Sequence, residues 1–184
     1  MMKAPKVYLI AGAILLLILI SGKSMAAAAA EAIIKKFEAD NNVKRYLTAY
    51  QDSAGVWTIG WGSIWHYDLK RRVQPGDRIT EEKATEWMKK EISSLQNKIK
   101  PFIKVPVNNN EEAAMISLSY NIGPTAFRDS TLLKLLNSGA PRTQVADQFL
   151  RWDKITDPVT KKKVPLAGLT RRRQAEKALF LQPV

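Results

Sequence analysis

The chain has 184 residues, of which 29 are Lys or Arg and 17 are Asp or Glu, giving a formal net charge of +12. This length suits one domain with its own hydrophobic core. The chain has no cysteine, which excludes a thiol nucleophile, a disulfide framework and a thiolate zinc site. The single histidine, His66, cannot supply the two or three imidazoles of a typical hydrolytic zinc site. Carboxylates are the simplest remaining basis for hydrolysis, and we expect neither a metal nor a cofactor.

The first thirty residues have the pattern of an export segment. Lys3 and Lys6 precede an uncharged run at 7–22. As a helix this run would span roughly 24 Å, slightly less than a bilayer core of about 30 Å. A cleaved signal peptide, an uncleaved signal anchor and a buried core helix are the three interpretations. We expect a releasable transmembrane signal anchor over 1–30 and one domain over 31–184.

The rest of the chain alternates helix and turn patterns with one short β region. Ile33, Ile34 and Phe37 share one face of a first helix, and strand-type residues between 46 and 65 predict a hairpin. Further helices are expected at about 81–98, 111–121, 130–137, 141–152 and 170–181, with Thr80 and Thr170 as N-caps. The predicted fold class is α+β, mainly helical.

Basic residues form three clusters, at 70–72, 161–163 and 171–173. Residues 1–30 hold three lysines and no acid, so residues 31–184 carry a net charge of +9. The clusters are either a solvated basic surface or a means of attraction to a polyanion. Export favours an anionic cell envelope as that polyanion, and no zinc-finger spacing, RNP-type motif or GxxG loop supports nucleic acid.

Two carboxylates and a hydroxyl are expected to meet around the hairpin. Glu38 ends the first helix, Asp52 opens a tight turn, and Thr58 follows on the next strand. Glycoside cleavage needs a protonated carboxyl group for the leaving oxygen and an ionised partner across the sugar. Each residue alone is weak evidence, because a helix-end Glu is usually solvated and an Asp before Ser-Ala-Gly usually belongs to the turn.

The surrounding strings resemble phage lysozymes of glycoside hydrolase family 24. They appear in order over roughly 31–181 and are Phe37-Glu38, LTAYQDSAGVWTIGWG at 47–62, SYNIG at 119–123, STLL at 130–133 and GLTRRR at 168–173. With the N-terminal segment added, the chain resembles the signal-arrest-release subgroup of phage endolysins.

This resemblance implies a muramidase that hydrolyses the β-1,4 N-acetylmuramic–N-acetylglucosamine bond of peptidoglycan, in a two-lobed lysozyme-like fold. It implies that Glu38 is the general acid and that Asp52 and Thr58 position and activate water, with inversion at the anomeric carbon. It also implies that Tyr120 and Asn121 contact the substrate.

The same resemblance implies a cellular setting. The protein is expected to be a monomer that acts on peptidoglycan and not on nucleic acid. Residues 7–30 would hold it in the host inner membrane with its catalytic domain in the periplasm, where it would later be released.

The chain departs from the family pattern in two places. Thirteen residues separate Glu38 from Asp52, where the family usually has about eight, so residues 40–42 must loop out and Asp40 becomes a rival carboxylate. Ser63 follows Gly62 at a position often occupied by His, which would affect a supporting role and not the acid.

Two other classes of function stay open. A lytic transglycosylase would use one acid and an internal sugar hydroxyl in place of water, so Asp52 and Thr58 beside Glu38 argue against it. A non-enzymatic cationic membrane-disrupting protein would account for the anchor and the charge, but not for the Glu-Asp-Thr pattern.

Overall fold

The computed structural model of the protein describes residues 24–52, 55–157 and 159–183. The apolar run at 7–22, on which the transmembrane expectation depends, lies outside these residues. Within the described ranges, no helix combines the length and the apolar character that crossing a membrane requires.

The first helix, α1, runs over Met25–Ala39. It begins at Ser24, whose side-chain oxygen accepts a hydrogen bond from the backbone N–H of Ala27 at 3.0 Å. Its buried face includes Ala26, Ala27, Ala30 and Ile34, where small side chains allow a close approach to a neighbouring helix. Helix α1 therefore starts inside the segment expected to be the anchor, and Ala26, Ala27 and Ala30 of that segment are buried.

Two short hairpins follow α1. Strands Tyr50–Gln51 (β1) and Trp57–Thr58 (β2) pair antiparallel, as do Trp65–His66 (β3) and Arg71–Arg72 (β4). Tyr50 lies opposite Thr58 in the first pair, and Trp65 opposite Arg72 in the second. This region packs on the helical part through a small apolar cluster of Ile59, Val73 and Trp87.

The remaining helices form the larger part of the molecule. They are Glu81–Ile99 (α2), Asn109–Ile122 (α3), Pro124–Arg128 (α4), Thr131–Asn137 (α5), Arg142–Asp147 (α6) and Ala167–Phe180 (α7). Short 3-10 segments lie at Val43–Tyr46, Lys100–Phe102 and Gln148–Trp152. Helix α3 is central, since α1, α2 and α7 all pack against it and Ala113–Ser119 are buried.

The mainly helical α+β expectation is confirmed, and Thr80 caps α2 through the N–H of Lys83. The cap expected at Thr170 is wrong. Helix α7 begins three residues earlier, at Ala167, and the Thr170 hydroxyl instead lies 3.1 Å from Oδ2 of Asp153. Helix α4 and a third hairpin, Lys154–Thr156 (β5) with Lys163–Pro165 (β6), are present in the structure but were not predicted.

Candidate active site

Glu38 lies in the last turn of α1 and contacts the last helix of the chain. Nη1 of Arg172 donates to Oε1 of Glu38 at 2.6 Å. The Glu38 side chain keeps 21% of its surface exposed, whereas that of Arg172 keeps 4%. A buried guanidinium therefore holds a carboxyl group that still reaches solvent.

Arg172 is fixed in turn by α3 and by its own helix. Its Nε lies 3.1 Å from Oε1 of Glu176, one turn along α7, and its Nη2 donates to the backbone oxygen of Ser117 at 3.2 Å. Burial lowers the pKa of Arg172, but the carboxylates of Glu38 and Glu176 outweigh burial and raise the pKa overall. Three separate acceptors thus set the orientation of the side chain that holds Glu38.

Arg173 is also buried, and Nη2 donates to Oδ1 of Asn121 at 3.1 Å. Its Nε is 3.1 Å from Oε2 of Glu176 without hydrogen-bond geometry, so this contact is Coulombic only. Burial lowers the pKa of Arg173 to about 10, which leaves it charged at neutral pH. A solvated or polyanion-binding surface is therefore the wrong interpretation for Arg172 and Arg173.

On the other side of Glu38, the backbone of Gly62 approaches the carboxyl group. A Cβ atom built on Gly62 would lie 3.2 Å from Oε2 of Glu38, and the φ of Gly62 is +94°. The same Cβ would be 4.0 Å from a ring carbon of Tyr120, whose hydroxyl lies 2.9 Å from the backbone oxygen of Trp61. Only glycine leaves room for Glu38 at this turn without backbone strain.

Asp52 and Thr58 are brought together by the first hairpin. The backbone N–H of Val56 donates to Oδ1 of Asp52 at 2.8 Å, and the Thr58 hydroxyl donates to the backbone oxygen of Val56 at 3.0 Å. Tyr50 lies opposite Thr58 in the same strand pair. Burial and then the charges of Glu38, Tyr46 and Asp52 raise the pKa of Tyr50 to about 12. The charges of Glu38 and Asp52 therefore both act on the Tyr50 hydroxyl of this hairpin.

The extra residues between Glu38 and Asp52 do turn away from the helix. Asp40 and Asn41 both adopt left-handed conformations, with φ of 46° and 58°, and a 3-10 turn follows. Asp40 is exposed, and it lines the same cavity of about 510 Å³ as Glu38, Asn121 and Arg171. Asp40 thus lies at the same cavity as Glu38, but among the described residues no buried arginine forms an ion pair with Asp40.

A second cavity, of about 430 Å³, is lined by Gly62, Tyr120 and Glu91. Tyr120 and Asn121, the expected substrate contacts, therefore line different cavities. In the described part of the chain, no group of three His, Cys, Asp or Glu residues is placed to hold a metal ion.

Sequence reasoning missed two residues of this site. The sequence places Arg172 in a basic cluster and in the GLTRRR string but does not assign it a role, although its four-residue spacing to Glu176 on a helix is the pattern of an ion pair. Glu91, whose carboxyl group meets Tyr120 and Ser63, was not singled out, since nothing in an amphipathic helix separates it from the exposed acids of α2.

The Phage lysozyme family model matches residues 43–176 of this chain. An endolysin of Acyrthosiphon pisum secondary endosymbiont phage 1 is 42% identical over 142 residues, which cover 75% of this chain and 91% of that protein. A SAR-endolysin of Pseudomonas phage phiKMV is 35% identical over 136 residues, 74% of this chain and 79% of that protein.

A similar fold occurs in a solved structure, an endolysin from Escherichia coli O157:H7 phage FAHEc1. It aligns with a TM-score of 0.73 and 36% identity, and covers 85% of this chain and 92% of that chain. The family match includes Asp52 and Thr58 and begins after Glu38.

Proposed function

Because the chain belongs to the phage lysozyme family and is an endolysin that lyses peptidoglycan, we propose that Glu38 is the acid of its muramidase reaction. The observation that carries this proposal is the contact between Glu38 and the buried Arg172. A guanidinium can only donate hydrogen bonds, so Oε1 of Glu38 accepts from Arg172. The positive charge beside Oε1 favours Oε2, the oxygen next to Gly62, as the oxygen that carries the proton when Glu38 is protonated.

In this proposal, Glu38 protonates the leaving glycosidic oxygen while the opposite face of the sugar receives water. Asp52 activates that water and Thr58 positions it. The Thr58 hydroxyl already donates to the Val56 oxygen, so toward water it can only accept, which turns a water hydrogen toward Thr58 and an oxygen lone pair elsewhere. Attack by water opposite the leaving group inverts the anomeric carbon.

The proposed acid can be tested by neutral substitutions in the purified full-length protein after its release from the membrane. Glu38→Gln keeps the shape and the Arg172 contact but cannot donate the proton, so clearing of permeabilised Gram-negative cells should fall at least ~100-fold. Asp40→Asn is the matched control and should clear cells at nearly the wild-type rate. Loss of activity in Asp40→Asn with retention in Glu38→Gln would move the acid to Asp40.

We further propose that residues 1–30 anchor the endolysin in the host inner membrane with the enzyme in the periplasm, and that the protein is released without cleavage. The SAR-endolysin name of a relative supports this proposal. Ala26, Ala27 and Ala30 are buried in the domain. These alanines cannot be in a bilayer and in the core together, so the anchored form should be misassembled and inactive.

This proposal predicts that full-length protein fractionates with the membrane and is inactive in energised cells. A depolarising agent should transfer it to the soluble fraction at unchanged mass, because Lys23 and the alanines make the span a weak one. A mature N-terminus near Glu31 before depolarisation would instead identify an ordinary cleaved signal peptide.

A further inference from the structure

Glu91 is a mostly enclosed carboxyl group that has no part in the mechanism above. It lies on α2 and faces hydroxyl groups from two other parts of the fold. Oε1 lies 2.5 Å from the Ser63 hydroxyl and Oε2 lies 2.9 Å from the Tyr120 hydroxyl. The Tyr67 hydroxyl interacts with the same carboxyl group. Three hydroxyl groups therefore surround one acid.

A protonated Glu91 satisfies more of the close oxygen contacts in this cluster than an ionised Glu91 does. The Ser63 hydroxyl also lies 2.9 Å from the backbone oxygen of Trp65, and the Tyr120 hydroxyl lies 2.9 Å from that of Trp61. Each hydroxyl has one hydrogen and two oxygen partners. An ionised Glu91 leaves two of these four close oxygen pairs without a hydrogen, whereas a protonated Glu91 leaves one.

Burial and a neighbouring negative charge also favour the neutral form of Glu91. Burial raises the pKa of Glu91, and the negative charge of Glu38 raises it further, against the lowering effect of the three hydroxyl groups. Burial next to the carboxylates of Glu91 and Glu38 also raises the pKa of Tyr120 well above its ordinary value, so Tyr120 keeps its hydrogen.

The cluster is joined to the proposed acid through one short segment. Tyr120 and Ser63 hold the peptide on either side of Gly62, since one contacts the oxygen of Trp61 and the other is itself the next residue. Gly62 is the residue whose backbone approaches Oε2 of Glu38. A shift of this segment would therefore change the space around the oxygen from which the proton is donated.

We propose that Glu91 works in its protonated, neutral form as a positioning residue that holds the Trp61–Gly62–Ser63 segment against Glu38. This inference rests on the proposed role of Glu38. The charged or titratable groups that face Glu91 from other elements are Tyr67, Tyr120 and Glu38. On its own helix, Lys98 lines the same cavity.

The first test compares Glu91→Gln with Glu91→Ala in the released full-length protein. An amide is neutral and can both donate and accept, so Glu91→Gln should keep kcat within about threefold of wild type. Glu91→Ala frees the segment and should lower kcat about 10- to 100-fold, the effect of a displacement of about 1 Å, with KM within about twofold. Equal losses of kcat in both variants would overturn the proposal.

The second test is the pH dependence of the melting temperature, which a purely steric role would not change. Because the pKa of Glu91 is raised in the folded state, the free energy of unfolding of the wild-type protein falls as pH rises from the unfolded pKa of about 4.3 to the folded pKa. Gln does not titrate. The melting temperature of Glu91→Gln should therefore rise relative to that of the wild type across this pH window, by about 3 to 5 °C for each unit by which the pKa is raised.

If the melting temperature of Glu91→Gln instead falls relative to that of the wild type as pH rises, Glu91 acts as a charged group and the proposal is overturned. Failure of the proposed function is distinguishable, because it would appear as activity in Glu38→Gln whatever the Glu91 variants do.

Discussion

At the scale of single residues, the carboxyl group of Glu38 is held between a charged side chain and a bare backbone. Arg172 binds one oxygen, and Gly62 lies beside the other. Arg172 is itself held by Glu176 and Ser117, so its position does not depend on Glu38. Glu38, the proposed acid, can therefore lose or gain a proton without a movement of Arg172.

Gly62→Ala should test the close approach of the Gly62 backbone to Glu38. The new methyl group would meet Oε2 of Glu38 at 3.2 Å and push the carboxyl group aside, so activity should fall about 100-fold. Gly76→Ala is the matched control, because Gly76 has a similar φ of +85° and nothing within 4 Å of the added Cβ. Both variants should lose about 1–2 kcal/mol of stability from backbone strain in chemical denaturation. Equal activity in the two variants would contradict a close approach at Gly62.

The sequence predicts some single residues of the fold and not others, for physical reasons. Thr80 could be placed as a cap because capping is local, between residues three apart. The contacts of Arg172 with Glu38 and of Glu91 with Tyr120 could not be predicted, because these partners are distant in the chain, 134 and 29 residues apart. Charge alone suggests exposure for Arg172 and Glu91.

At the scale of elements, α1 connects the end of the proposed anchor, from residue 25, to the proposed acid. Its alanines pack on α3 and its last turn presents Glu38, so one continuous helix connects residue 25 to the site. The helical pattern was evident from Ile33, Ile34 and Phe37. The burial of Ala26 and Ala30 was not, because alanine fits a bilayer, a core and a surface equally well.

Overpacking α1 should separate its two roles. Ala30 is fully buried and Ala28 is exposed, so Leu at either position adds the same hydropathy to the export segment but only Ala30→Leu disturbs the core. We expect Ala30→Leu to lose about 1–3 kcal/mol in chemical denaturation of the released protein. Ala28→Leu should stay within about 0.5 kcal/mol of wild type. Equal stabilities would mean that residues 25–30 do not pack as described.

The third hairpin illustrates why weak strands escape prediction. Strands β5 and β6 are mostly exposed, and the segment from Lys154 to Pro165 has neither a continuous apolar run nor a regular alternation. The pairing of Ile155 with Val164 is set by backbone hydrogen bonds. Hydrophobic periodicity is the main sequence signal for a strand, and the segment that forms this hairpin lacks it. The hairpin could therefore not be predicted from the sequence.

At the scale of the whole molecule, the strong positive charge is not uniformly a surface property. Arg172 and Arg173 neutralise buried and half-buried carboxylates at the site. The lysines at 161–163 are exposed on the third hairpin, and Leu166 and Arg171, just beyond it, line the cavity of Glu38. The basic composition therefore serves internal ion pairs as well as the face of the molecule around the site.

Product analysis of purified peptidoglycan sacculi tests the central claim most directly. The released wild-type protein and Glu38→Gln would each be incubated with sacculi, and the soluble fragments examined by mass spectrometry. We expect hydrolysed fragments ending in reducing N-acetylmuramic acid from the wild type and almost none from Glu38→Gln. Fragments with 1,6-anhydro ends, or equal yields from the two proteins, would contradict a water-using muramidase with Glu38 as its acid.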